Sequence, residues 1–269
     1  MDLSTYRDLL RGKGRSDRTI QVYCGYTRRL MAWCIEHGHD PATIPPHDVR
    51  TWADEHLPLS WSSRKAAKAA LAAYWSTRQD APWEAIRVPA KPRARYRGLT
   101  AEEARQLMQA ATMHGGRPGL AVKLLLLTGA RAAEVAQMTY DGVDRNAGIL
   151  SWWRPKTRDH QVLPLLPALG EAIGEGTGPL FTGDGGRTHV TAQTVNSWCH
   201  RVADLAGLDV SPQQVRATAG MLVVSATHDI EAAAQVLGHS DLNTTRKHYA
   251  AQVDQERMAR AMDGLAGLA

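Results

Sequence analysis

A mainly α fold with a small antiparallel sheet, divided between two domains, is what the sequence predicts, on three observations. Capped segments with apolar residues at helical spacing recur through most of the chain. One stretch, GILSWWRPKTRDHQVLPL, reads as two strands joined by a turn. Between an N-terminal helical group and a second helical series runs RVPAKPRARYRG, residues 87–98, with two prolines, five cations and no acid. At 269 residues, 43% hydrophobic and 22% charged, the chain is large enough for a buried core in each of two domains. The expected division is a helical domain over 1–88, a linker over 89–98 and a second domain over 99–269.

Residues 17–38 form the first predicted helix: Ser16 is placed to cap it, Ile20, Tyr23, Leu30 and Cys34 fall near one stripe, and Gly38 stops it. A second helix fits 46–56. In SWSSRKAAKAALAAYWSTR a serine cap precedes an Ala-rich third helix, whose Arg64, Lys65 and Lys68 lie within about one turn and offer phosphate contacts. The linker should be extended, with Arg93, Arg95 and Arg97 strongly attracted to phosphate. Thr100 and Glu103 then stand in capping-box spacing before Ala104, Leu107, Met108 and Ala111, which opens the second domain.

An apolar helix through LLLL, 124–127, ends at Thr128-Gly129, and a new helical segment follows it. The strands are GILSWW at 148–153 and QVLPL at 161–165, with Trp152 and Trp153 read as core and hairpin packing. The Gly-rich GEGTGPLFTGDGGR lacks the GK-Ser/Thr ending of a phosphate-cradling loop and reads as a flexible connection. Ser211 caps the next helix with Pro212 in its first turn, and IEAAAQVLGHS is a short apolar helix closed by Gly238. Val253, Met258, Met262 and Leu265 give the tail a short amphipathic face, which packs on its own domain or on a neighbour.

Charge narrows the function. Residues 1–98 hold 17 Lys and Arg against 10 Asp and Glu, while the remainder holds 15 against 17. Such a segregated cationic excess suits a polyanion partner, DNA or RNA first and an anionic membrane surface second. The N-terminus lacks a signal-type apolar stretch and no run is long enough to span a bilayer, so a cytoplasmic protein is expected. Cys24, Cys34 and Cys199 have no zinc or redox spacing, and His37, His39, His47 and His56 no metal-ligand spacing, so neither disulfide nor metal is expected.

Four places carry candidate chemistry. In TGARAAE, Glu134 stands three residues after Arg131 on one helical face and can orient its guanidinium; a plain surface ion pair has the same spacing. In SPQQVR, Gln213 and Arg216 lie near the positive end of a helix, where anions bind. His239 follows the Gly238 stop. Tyr249, set among Thr244, Thr245, Arg246, Lys247 and His248, is flanked by anion-binding groups rather than an apolar pattern, so its phenol calls for a chemical reading.

Together and in this order, TGARAAE, the PKTRDHQVLPL hairpin, QQVR, LGHS and TTRKHY resemble the tyrosine recombinase (phage integrase) family over most of residues 99–255. The resemblance implies a two-domain C-shaped clamp on double-stranded DNA, with a helical core-binding domain before the catalytic one. It also implies strand exchange through a 3′-phosphotyrosine link, with no cofactor and no metal, by a homo-tetramer assembled on paired sites from protein that is monomeric or weakly associated in solution. By position, Tyr249 corresponds to the nucleophile, Arg131 and Arg216 to the phosphate-binding pair, Lys156 to the hairpin lysine that protonates the leaving oxygen, and His239 to the second histidine. Gln213 stands where the family usually has histidine; its amide can donate to a phosphate oxygen but cannot shuttle a proton near neutral pH. A DNA-binding relative with weakened or lost catalysis, or a type IB topoisomerase-like enzyme, fits the same residues.

Overall fold

The computed structural model describes residues 2–91, 98–183 and 188–238. Within these, the chain is mainly helical with one small sheet, and it separates into two compact units, Met1–Ala94 and Arg95–Ala269.

The N-terminal unit opens with α1 (Leu3–Gly12), absent from the sequence reading, whose cap is Asp2 accepting from the backbone of Ser4 and Thr5. Then come α2 (Asp17–Glu36), capped by Ser16, α3 (Pro46–His56), entered through proline, and α4 (Trp61–Tyr74), capped by Ser60. A short 3-10 turn, Pro82–Ala85, completes the unit. Its core gathers Tyr6, Leu10, Leu30, Trp33, Trp52, Leu71 and Ile86, and the Tyr6 hydroxyl donates to the Ala70 carbonyl at 2.6 Å, so α1 is fastened to α4 as well as buried against α2.

The second unit begins with α5 (Ala101–His114), where Thr100 and Glu103 form the expected capping box. Next, α6 (Gly116–Thr128), largely apolar apart from Arg117 and Lys123, is the central element, packed on α5 and on α9 (Ala192–Leu205) and α10 (Pro212–Thr227). After α6 come the four-residue α7 (Ala132–Val135) and a three-stranded antiparallel sheet in chain order: β1 (Val143–Asp144), β2 (Ile149–Arg154) and β3 (Asp159–Pro164). Strand β3 starts two residues earlier than its apolar run suggests, because Asp159 pairs with Arg154 across the turn. Trp152 is buried, whereas Trp153 lies on the exposed face against His160. Helices α8 (Pro167–Ile173) and α11 (Ile230–Leu237) complete the unit, and Gly238 closes α11 at φ +59°.

The Gly-rich stretch is not a loose connection at its centre. Leu180 donates to the Met138 carbonyl at 2.9 Å, Tyr140 donates to the Gly178 carbonyl at 2.9 Å, and the Phe181 ring is fully buried against Trp198. Two apolar residues among the glycines provide an anchor that turn composition alone conceals. Among the described residues, no helix is long and apolar enough to cross a membrane.

Candidate active site

The site grows from the end of α6. The Thr128 hydroxyl donates to the Leu124 carbonyl at 2.6 Å and accepts the Ala130 N–H at 3.1 Å, while Gly129 turns the chain at φ +62°. An added Cβ at Gly129 would stand 2.6 Å from Leu237 Cδ2, so glycine meets both the left-handed backbone and the close approach of α11. This turn delivers Arg131 as the cap of α7.

Arg131 is held by Glu134. Oε2 of Glu134 accepts the Arg131 backbone N–H at 3.0 Å, and Oε1 accepts from Nη1 at 2.6 Å. The carboxylate is buried, and the Arg131 side chain keeps 28% of its surface in solvent. The arrangement is therefore a cationic donor, fixed at its base and open at its face, rather than a loose surface pair.

Arg216, on α10, is 5% exposed. Its Nη1 donates to the Gly129 carbonyl and its Nη2 to the Leu237 carbonyl at 2.6 Å. One guanidinium thus joins the turn two residues before Arg131 to the last residue of α11. Gln213, in the first turn of the same helix, is exposed where Arg216 is buried, so the two residues expected near the positive helix end differ in burial. Ser211 and Gln214 complete the cap of α10, and the Leu99 N–H donates to Thr218 Oγ1 at 2.8 Å, tying the entry into this unit to the helix that carries Arg216.

Lys156 lies exposed in the four-residue turn between β2 and β3. Sequence reasoning missed Arg154 at the base of that turn. It is 9% exposed; Nε and Nη2 donate to the two carboxylate oxygens of Asp159 at 2.8 and 2.5 Å, and Nη1 donates to the Gly238 carbonyl at 2.7 Å. The guanidinium, with help from the Thr157 hydroxyl, holds the Asp159 carboxyl below the usual carboxylate range. Gln161, also missed, donates from Nε2 to the Gln235 carbonyl at 2.8 Å. The one local signal was an arginine and an aspartate flanking a four-residue turn, the spacing of a cross-strand ion pair.

In the N-terminal unit, one expected phosphate contact is overturned. Arg64 is 1% exposed: Nη1 donates to Asp54 Oδ1 at 2.7 Å and to the Arg87 carbonyl at 3.3 Å, and Nη2 donates to the Ala53 carbonyl at 3.1 Å. It faces inward from α4 and braces α3. Lys68 pairs with Glu84 at 2.7 Å, and Lys65 remains exposed with its ammonium 4.6 Å from the Trp61 ring centroid. Arg93, Arg95, Arg97, His239 and Tyr249 lie outside the described residues.

Residues 97–256 match the model of the phage integrase family. Tyrosine recombinase XerA of Thermococcus kodakarensis is 27% identical over 271 residues, covering 96% of this chain and 93% of its own. Tyrosine recombinase XerC of Mycobacterium sp. strain KMS is 25% identical over 265 residues, covering 87% and 88%. Among solved structures, the Tn1549 transposon integrase in complex with transposon right end DNA aligns with a TM-score of 0.70 at 17% identity, over 96% of this chain and 99% of that one. The XerH site-specific recombinase bound to palindromic difH substrate aligns at 0.69 and 16% identity, over 97% and 84%. These two likenesses establish the shared fold.

Proposed function

The chain belongs to the phage integrase family, the tyrosine recombinases, and from that premise we propose that it is a site-specific recombinase that cleaves and rejoins double-stranded DNA through a 3′-phosphotyrosyl intermediate. The Tyr249 phenol oxygen attacks the scissile phosphorus as its proton passes to His248 or a water; the new bond is P–O(Tyr), the broken bond is P–O5′, and the 5′ oxygen leaves with a proton from Lys156. Arg131 and Arg216 face the charge that gathers on the non-bridging oxygens, His239 adds a hydrogen bond there, and Gln213 donates as a positioning amide where the family usually has histidine. The 5′ hydroxyl of a second strand reverses the step. The observation that supports this reading most directly is the Arg216 guanidinium, which ties the turn leading to Arg131 to the end of the helix leading to His239.

The test is a nicked suicide substrate made from DNA of the protein's own replicon. Wild type should form a covalent protein–DNA adduct, Gln213→His should form it at least as fast, and Tyr249→Phe should bind the same DNA without forming it. Adduct formation by Tyr249→Phe, or none by wild type and Gln213→His alike, rejects the reading. Relaxation of plasmids lacking any such site would instead favour a topoisomerase-like enzyme.

On the same reading the partners are duplex DNA and three further copies of the chain on paired sites. Val253, Met258, Met262 and Leu265, at near-helical spacing in the sequence and outside the described residues, are assigned to docking on a neighbouring copy. Truncation after residue 254 should leave single-site binding intact and abolish synaptic complexes; synapsis by the truncated chain would refute the assignment.

A further inference from the structure

We propose that Arg154 is a positioning residue of strand cleavage: it locks the turn that carries Lys156 against the end of α11 and so sets where the lysine presents its proton to the leaving oxygen. The inference rests on the role given above to Lys156, and its test separates the two.

Lys156 sits in the middle of an exposed turn, and an ammonium on a four-carbon stem is a poorly aimed acid unless its backbone is fixed. The turn here is fixed from both ends. Across its base, Arg154 and Asp159 form a bidentate pair at 2.8 and 2.5 Å. Inside it, the Arg158 N–H donates to the Arg154 carbonyl at 2.9 Å, and the Thr157 hydroxyl donates to Asp159 Oδ1 at 2.5 Å. A cross-strand pair that served only to close the hairpin would be exposed and would end there. Instead, the Arg154 guanidinium is 9% exposed and its remaining arm reaches the carbonyl of Gly238, 84 residues along the chain.

That carbonyl belongs to the residue closing α11, where the helix carries its partial negative charge, so a cation is favoured there. A second tether, Gln161 to the Gln235 carbonyl, stops the hairpin from pivoting about the first. Gly238 makes room for the contact, since a Cβ there would stand 2.5 Å from Gln161 Oε1 and overlap the Arg154 guanidinium. The position of Lys156 is therefore referenced to the segment that runs on into His239.

Single-turnover cleavage of two suicide substrates provides the test, one with the natural 5′ bridging oxygen and one with sulfur in its place. With sulfur, the P–S bond breaks and a thiolate leaves without protonation, because a thiol ionises near about pH 8.5. Arg154→Met should cleave the oxygen substrate about 100-fold more slowly than wild type, the scale of a small misplacement in an active site. On the sulfur substrate it should come within about fivefold of wild type, and Lys156→Met should be relieved in the same way. Equal deficits for Arg154→Met on both substrates, with Lys156→Met relieved, overturn the positioning role and leave the lysine's acid role standing. A Lys156→Met deficit that sulfur does not relieve removes the acid role and this proposal with it.

Should Arg154→Met fail to fold, Asp159→Asn decides. Its side chain is 47% exposed, and the substitution loosens the guanidinium without emptying the site. A deficit of about tenfold on oxygen, relieved by sulfur, upholds the proposal; wild-type rates on oxygen, or a deficit that sulfur leaves in place, reject it.

Discussion

Glu134 holds Arg131 at two points at once, its Oε2 accepting the backbone N–H at 3.0 Å and its Oε1 accepting from Nη1 at 2.6 Å. Backbone and side chain are therefore fixed by one buried carboxylate. Glu134→Ala frees the guanidinium and leaves the part-buried Arg131 N–H without its acceptor. At about 1.5–3 kcal/mol for a hydrogen bond to a charged group, single-turnover cleavage should fall about 10- to 100-fold, with DNA affinity much less affected. Glu134→Gln, which keeps the shape and one acceptor, should fall between. A parallel loss of cleavage and affinity in Glu134→Ala would mean that the carboxylate supports the fold rather than aiming the arginine.

Gly238 is constrained twice, by its backbone at φ +59° and by the Arg154 guanidinium lying where a side chain would go. Gly238→Ala should cost about 1–3 kcal/mol in conformational strain alone and should expel the arginine from its carbonyl contact. The expected result is a lower urea midpoint for the catalytic unit together with slower cleavage. If the midpoint is unchanged, the hairpin does not depend on that contact.

Arg64 makes a different prediction, because it is a core residue with a charge. Arg64→Ala removes its contacts with Asp54, Ala53 and Arg87 and leaves a cavity, and should destabilise the N-terminal unit by about 3 kcal/mol. The partner also gives the pH dependence. Hydrogen bonding to Arg64 lowers the Asp54 pKa, so the carboxylate's contribution is fully present above the unfolded value of about 3.9 and is lost as pH falls through the lower folded value. Below about pH 4, denaturation midpoints of wild type and Asp54→Asn should converge, and above it wild type should be the more stable; a constant gap from pH 7 to pH 2 would contradict this.

What could be read in the sequence was local. Ser16, Ser60, Thr100 with Glu103, Ser211 with Pro212, and Gly238 all act within a turn of their own position, and each performs the capping or stopping role its spacing implied. What could not be read was which cation turns inward. Arg64, Lys65 and Lys68 share one helical turn, yet their fates are set by Asp54 on α3 and Glu84 on the 3-10 turn. The same holds at the site. Arg131 and Glu134 are neighbours in sequence and were paired from it, whereas the reach of Arg216 to Gly129 spans 87 residues and that of Arg154 to Gly238 spans 84, so no periodicity announces either. Helix α1 is not legible in the sequence because its apolar stripe is short and set among charged and polar residues; Tyr6 and Leu10 suffice to anchor it.

The different fates of those three cations lead to a prediction about DNA binding. A phosphate contact shows itself in the salt dependence of affinity, because each neutralised phosphate releases condensed counterion. Lys65 is exposed, and its ammonium rests over the Trp61 ring, which holds it near the surface without neutralising it. Lys65→Ala should weaken binding uniformly across sequences and reduce the slope of log affinity against log salt by about 1. For Lys68, already paired with Glu84 at 2.7 Å, the change should be smaller, and Glu84→Gln should strengthen binding by releasing the lysine. Arg64→Ala should leave the slope unaltered while lowering stability. A slope that falls for Arg64→Ala and stays constant for Lys65→Ala would reverse the assignment and place the DNA on a face of α4 that the folded unit buries.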